Sequence, residues 1–274
     1  MGVDEHTIEV AGAPVFYRHA PATGATALYL HSVPTSSDDW REFLPRTGGV
    51  APDLIGFGRS AKGGHLDYSL NGYVGFVEEL LAALDLDRVA VVGHGWGAAI
   101  GLVFAQRHPG RIERIAIIDA VPLLEGFSWP RMVRHWRRPA LGELLMGSVN
   151  KWLLARTLRA GSPHPETAWP DERVDEVWAQ FDQGTQRAIL RLHRSIDEAG
   201  LAQVGDGLAS VDAAALVVWG EADPWLDPAF AEAYAARMPH ADAQRIAGAG
   251  HWPWLDQPQV IDRIASFVAP AEVP

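Results

Sequence analysis

The sequence predicts an α/β protein: a mostly parallel central sheet with helices on both faces and a helical segment inserted between two of its strands. Short apolar runs recur along the chain at ATALYLHS, GGVAPDLIG, RVAVVGHG, RIAIIDAV, AALVVWGEAD and ADAQRIAGAGH, each ending on a small or polar residue. Helical patterns such as YVGFVEELLAALDL, GAAIGLVFAQRHP and PAFAEAYAARMP lie between them. The alternation stops after DAVP (Asp119 to Pro122) and resumes at Ala215. Runs of Val, Ile and Leu without alternation suit strands buried on both faces. Strands that alternate with helices pair in parallel.

Taken in order, HTIEVAGAPVFYRHA reads as an N-terminal hairpin with its turn at Gly12-Ala13. Residues 1–121 and 209–274 are expected to form the core domain. Residues 122–208 are expected to form a helical cap over one end of the sheet. This segment holds Trp129, Trp136, Trp152, Trp169 and Trp178, and has Pro- and Gly-bearing joints such as AGSPHPETAWPDE. Most of these tryptophans are expected to be the cap's own packing. Its cationic run WPRMVRHWRRP reads as one solvated helix face with the tryptophans turned inward.

Composition narrows the function classes. A chain of 274 residues buries one substantial core with room for a subdomain. Its net charge of −11 argues against nucleic acid and anionic membranes as partners. The absence of cysteine removes disulfides, thiol catalysis and Cys-ligated metals. The first ten residues lack a signal-peptide apolar core, and no stretch approaches the roughly 20 apolar residues of a membrane span. The expectation is a cytoplasmic monomer or homodimer acting on a small-molecule substrate or ligand. No P-loop, dinucleotide fingerprint or H-E-x-x-H cluster occurs, so neither cofactor nor metal is expected.

Ligands of open parallel sheets sit beyond the carboxyl ends of the strands. The residues there are His31 to Pro34, Asp53, Gly56 to Ser60, Gly93 to Gly97, Asp119, Asp223 and His251. Their order resembles the α/β-hydrolase superfamily along almost the whole chain. LHSVPTSSDDW, PDLIGFGRS and VVGHGWGAA most resemble its epoxide hydrolase and haloalkane dehalogenase branch. There the matching loops read His-Gly-x-Pro-Thr-Ser-Ser and Gly-His-Asp-Trp-Gly.

On that resemblance, Gly93 to Gly97 is a nucleophile elbow and Gly95 is its empty nucleophile position. A strand-to-helix elbow needs small residues on both sides, which Gly93 and Gly97 supply. Amides at the following helix start point outward with the positive end of its dipole behind them. The Trp96 and Val33 N–H groups are therefore placed to form an oxyanion hole. His251 stands where a base reaches the elbow, and Asp223 where it orients that imidazole. Asp119 is an alternative acid, although a strand-end residue bonding loop amides is the preferred reading. His31, Ser32 and Trp252 are set beside the pocket. His94 is expected to pack behind the elbow, and His31 to brace the oxyanion loop.

Gly95 departs from the family pattern. Covalent catalysis needs a side chain there, and glycine instead relieves the strained elbow backbone. Several readings follow. The glycine belongs to an engineered nucleophile knockout; to a natural pseudohydrolase that binds a ligand without turnover; or to an active enzyme in which His251 deprotonates water directly. A lyase or isomerase using only the His251–Asp223 pair is a further alternative. The resemblance leaves the chemistry among epoxide, halide and ester classes. Tyr17, Tyr29, Tyr68, Tyr73 and Tyr234 all lie outside the cap, which weakens the epoxide class, since related epoxide hydrolases use cap tyrosines. Trp96 matches one halide donor of the dehalogenases, whereas Val33 cannot supply the Asn side chain that some of them use.

Overall fold

A computed structural model describes residues 2–22 and 24–269. Eight strands form one sheet in the order β1-β2-β4-β3-β5-β6-β7-β8. They are β1 (Asp4–Val10), β2 (Ala13–Ala20), β3 (Ala27–Leu30), β4 (Gly49–Pro52), β5 (Val89–His94), β6 (Ile112–Ile118), β7 (Ala214–Gly220) and β8 (Ala241–Ile246). β2 runs antiparallel to β1 and β4, and the remaining pairings are parallel.

The hairpin turn falls one residue before the expected Gly12-Ala13. Val10 pairs with Ala13, and the loop is Ala11-Gly12, both left-handed at φ 50° and 77°. A two-residue hairpin loop whose twist matches its strands asks for positive φ at both positions, so Gly12 takes the second. A second difference lies at the far edge. β5 is buried along its whole length, but β8 exposes Asp242, Ala243 and Arg245. Charged residues on an edge strand discourage pairing with another chain, so this run is not a strand covered on both faces.

Helix Trp96–Arg107 packs on β3, β5 and β6, helix Gln259–Val268 on β5 and β6, and helix Phe230–Ala235 on β7 and β8. The first of these is buried from Trp96 to Ala105. A Cβ on Gly97 would stand 2.1 Å from the Leu30 carbonyl oxygen, so only glycine lets this helix begin so close to β3.

Between β6 and β7 the chain contains helices Arg131–Trp136, Leu141–Gly147, Lys151–Ala160, Asp171–Gln180, Gln183–Arg194 and Glu198–Gly205. Trp129 and Trp169 are buried there, and Trp136 and Trp178 are half-buried. Trp152 departs from the packing expectation: it is 68% exposed, with the Arg156 guanidinium over its ring. Among the described residues no helix is long and apolar enough to cross a membrane.

Strand order reverses beside β3, with β4 on one side of it and β5 on the other. The ends of β3 and β5, paired at Leu30 and Gly93, therefore flank the crevice in which α/β sheets bind ligands.

Candidate active site

The elbow is a single residue. β5 ends at His94, and Gly95 turns the chain into helix Trp96–Arg107 at φ 50° and ψ −113°. Its N–H donates to Ile118 O at 3.0 Å, and its carbonyl accepts from Val121 N–H at 3.1 Å. The turn is thus bolted to the end of β6. This conformation is one that glycine adopts without the penalty of about 1–3 kcal/mol borne by other residues.

His251 and Asp223 form the expected pair. The His251 Nδ1–H donates to Asp223 Oδ2 at 2.7 Å, and Nε2 has no hydrogen-bond partner among the described residues. Asp223 Oδ1 accepts from the amides of Trp225 and Leu226 at 2.8 and 3.1 Å, which fixes the carboxylate. The His251 backbone N–H donates to Gly161 O at 2.8 Å, tying this residue to the helical segment between β6 and β7. The Trp225 and Trp252 rings stand edge-on to its imidazole, each at 4.9 Å.

Asp119 does not bond His251. Its Oδ1 accepts from Gly220 N–H at 3.1 Å, in keeping with the strand-end reading. Burial raises its pKa well above the usual carboxylate range, and the neighbouring Asp223 charge adds to the effect. Its Oδ2 is buried and has no hydrogen-bond partner among the described residues. One ligand atom each from Asp119, Asp223 and His251 lie within 4.8 Å of one another. The 2.7 Å His251–Asp223 separation is a hydrogen bond. Two ligands of one tetrahedral zinc would stand about 3.3 Å apart, so the trio reads as an acid–histidine assembly.

His31 is corrected. It is fully buried and does not line the cavity. Its Nδ1–H donates to Ser32 O at 2.7 Å and its Nε2 accepts from Leu54 N–H at 2.9 Å, so it braces the loop without reaching a ligand. His94 likewise lies behind the elbow, with Nε2 bonded to His251 O at 2.8 Å.

Ser32, Val33, Gly95, Trp96, His251 and Trp252 all line one cavity of about 260 Å³. Its remaining walls come largely from the helical segment, and no Asp, Glu, Lys or Arg is among the lining residues. Such a space admits a small, neutral, apolar molecule. The two amides expected to form an oxyanion hole, those of Val33 and Trp96, are not equivalent. The Trp96 N–H donates to Ser32 Oγ at 3.2 Å, whereas the Val33 N–H has no acceptor among the described residues.

His193 carries no functional signal in the sequence, yet it lines the cavity. Its Nδ1–H donates to Ile189 O at 2.8 Å, and its Nε2 accepts the Trp96 indole N–H at 3.1 Å. Burial pushes its pKa down to about 4, keeping the ring a neutral acceptor. A histidine four residues after Ile189 on an amphipathic helix shows its helix face, but not its distant indole partner.

A reversed-order parallel sheet, an elbow at its switch point and an acid–histidine pair together define the architecture of the α/β hydrolases. The model of the "Alpha/beta hydrolase family" matches residues 27–264, and the chain belongs to that family. A haloalkane dehalogenase of Mesorhizobium japonicum is 29% identical over 95% of this chain and 90% of its own length. Another from Bradyrhizobium diazoefficiens is 28% identical over 97% and 96%. The haloalkane dehalogenase DbeA of Bradyrhizobium elkani superposes with a TM-score of 0.85 at 24% identity over 98% of both chains. The epoxide hydrolase CorEH superposes with a TM-score of 0.84 at 22% identity, over 98% of this chain and 99% of its own. The structural likenesses speak for the fold. The sequence relatives make the chain an α/β hydrolase homologous to haloalkane dehalogenases.

Proposed function

We propose that this chain hydrolyses a small, neutral, apolar or aromatic ester, with the His251–Asp223 pair activating water directly and no side chain at position 95 taking part. The observation that carries this reading is the 2.7 Å His251–Asp223 bond, which leaves Nε2 as a base on an uncharged cavity whose elbow residue is glycine. The segment 122–208 serves as the cap that closes the cavity.

Two findings favour an ester over its competitors. Dehalogenases of this branch use the indole after the nucleophile to hold the leaving halide, but here that N–H is engaged by His193. No tyrosine lines the cavity to protonate an opening epoxide. In the ester reaction, a water O–H bond breaks and its proton passes to His251 Nε2 while oxygen bonds the carbonyl carbon. The carbonyl π pair moves onto oxygen, which the Val33 N–H receives. Collapse expels the alkoxide, which takes the proton from His251; the products are an acid and an alcohol.

The test compares the wild type, His251→Ala and Asp223→Asn on p-nitrophenyl butyrate, styrene oxide and 1,2-dibromoethane. The expected result is turnover of the ester, lowered about 10²–10⁴-fold by His251→Ala. Single turnover in ¹⁸O-water should label the acid product in the first cycle. Equal activity in His251→Ala would end this reading. Saturable binding without turnover of any substrate class would assign a binding protein, and a product lacking water's oxygen would assign a lyase or isomerase.

A further inference from the structure

We propose that the Ser32 hydroxyl is the third working group of the site, holding the attacking water against His251 Nε2 from the place where a side chain at 95 would begin. This inference rests on the water-activating reading above.

Placement comes first. A Cβ built on Gly95 would lie 2.2 Å from Ser32 Oγ and 2.8 Å from Ser32 Cβ. The two positions compete for the same space, and only one of them can carry a side chain there. The resembling loops have glycine at the first position and a side chain at the second; this chain has the reverse. A replacement made at 95 alone would have left position 32 as glycine, so the mutual fit supports a natural exchange across the cleft.

The Ser32 loop is held rigidly. Its backbone carbonyl accepts from His31 Nδ1 at 2.7 Å and Thr35 Oγ1 at 3.1 Å, and the residue is buried. Its Oγ accepts the Trp96 N–H, which sits at the positive end of a helix. That bond polarises the hydroxyl and strengthens it as a donor. The Ser32 O–H itself has no acceptor among the described residues, and it lines the same cavity as His251.

Chemistry then selects the role. No hydrogen bond joins Ser32 Oγ to His251, so the base does not take the serine proton directly. The hydroxyl lies level with a Cβ at 95, whereas an attacking oxygen at the elbow stands further out along that side chain. One water bridges the difference. It accepts from Ser32 O–H, gives its own proton to Nε2, and presents its remaining lone pair to the carbonyl carbon. Ser32 thereby replaces the missing side chain by fixing the nucleophile without becoming it.

The first test is a high-resolution crystal structure of the protein. A water about 2.6–3.2 Å from both Ser32 Oγ and His251 Nε2 is expected, and it should vanish in Ser32→Ala. A direct Ser32–His251 hydrogen bond, or no water at that point, overturns the proposal even if no substrate is turned over. With p-nitrophenyl butyrate, Ser32→Ala should lower kcat about 10–100-fold with KM nearly unchanged, and Ser32→Thr should recover most of it. Ser32→Ala at wild-type kcat, while His251→Ala is inactive, removes this inference and leaves the reading above intact. A fluorophosphonate adduct on Ser32, read by mass spectrometry, would make the serine a nucleophile and overturn the positioning role.

Discussion

The Trp96 indole N–H donates to His193 Nε2 at 3.1 Å, joining the first residue after the elbow to a helix of the inserted segment. Both rings are buried, and His193 also stands edge-on to Trp96 and Trp129. The bond has consequences for both chemistry and stability.

On the chemical side, the donor that a halide would need is already occupied. Bromide release from 1,2-dibromoethane is expected to be undetectable for the wild type. His193→Leu leaves the indole N–H buried without its acceptor, at a cost of about 1–3 kcal/mol that a denaturant titration would read. Bromide release by the unaltered protein at a rate matching ester hydrolysis would contradict this assignment.

The same bond sets a pH dependence. The His193 pKa is about 4 in the fold against an ordinary 6.5, because burial disfavours the cation. As pH falls below 6.5 the unfolded chain takes up a proton that the folded chain refuses, so stability is lost until both forms are protonated below about 4. The full difference is on the order of 3 kcal/mol. His31 and His94 are shifted in the same direction, also chiefly by burial, and add to the loss. Melting temperature should therefore decline from pH 6.5 to 4, and His193→Gln should flatten part of that slope. An unchanged slope in the variant would show that His193 is not among the groups responsible.

Asp119 works in the opposite sense. Its folded pKa is raised, so its contribution is best below the unfolded value of 3.8 and is lost as pH rises through the folded value. Asp119→Asn keeps the Oδ1 acceptor and removes the titrating carboxyl, and asparagine tolerates the φ of 40° at this position. The variant should melt higher than the wild type at pH 7, with the gap closing toward pH 3.5. A lower melting temperature at pH 7 would mean that the carboxyl is ionised in the fold.

The sheet was legible because its apolar runs end on residues that backbone geometry demands. The need for small residues at Gly93 and Gly97 reads directly from the sequence, and the Leu30 carbonyl against Gly97 is its physical cause in the fold. The acid–histidine pair was legible for a related reason: Asp223 and His251 each follow a strand end on the same side of the sheet. What lay beyond reach were contacts set by side-chain direction across distant elements. Nothing in QGTQRAILRLHR announces that His193 meets Trp96. From sequence Ser32 reads only as a residue beside the pocket, because its clash with position 95 exists only once β3 and β5 are laid side by side. His31 was placed in the pocket on proximity along the chain, yet its ring turns back to Leu54.

Position 95 itself supplies the fourth prediction. Gly95→Ser places a Cβ on Ser32 Oγ and forces a non-glycine residue into φ 50°, so it should destabilise while leaving the fold intact. Ser32→Gly in the same chain should recover the steric part but not the backbone part. A double-mutant cycle is expected to give a coupling of about 1–3 kcal/mol. Additive effects, measured by denaturant unfolding, would show that the two side chains do not share the space.

That shared space also bears on descent. A lineage that has traded a glycine at position 32 and a side chain at position 95 for Ser32 and Gly95 cannot return by one substitution, because either reversal alone meets an obstruction or leaves both positions bare. The elbow behaves as a ratchet: with Ser32 and Gly95 both in place, a side chain restored at 95 alone runs into Ser32 Oγ.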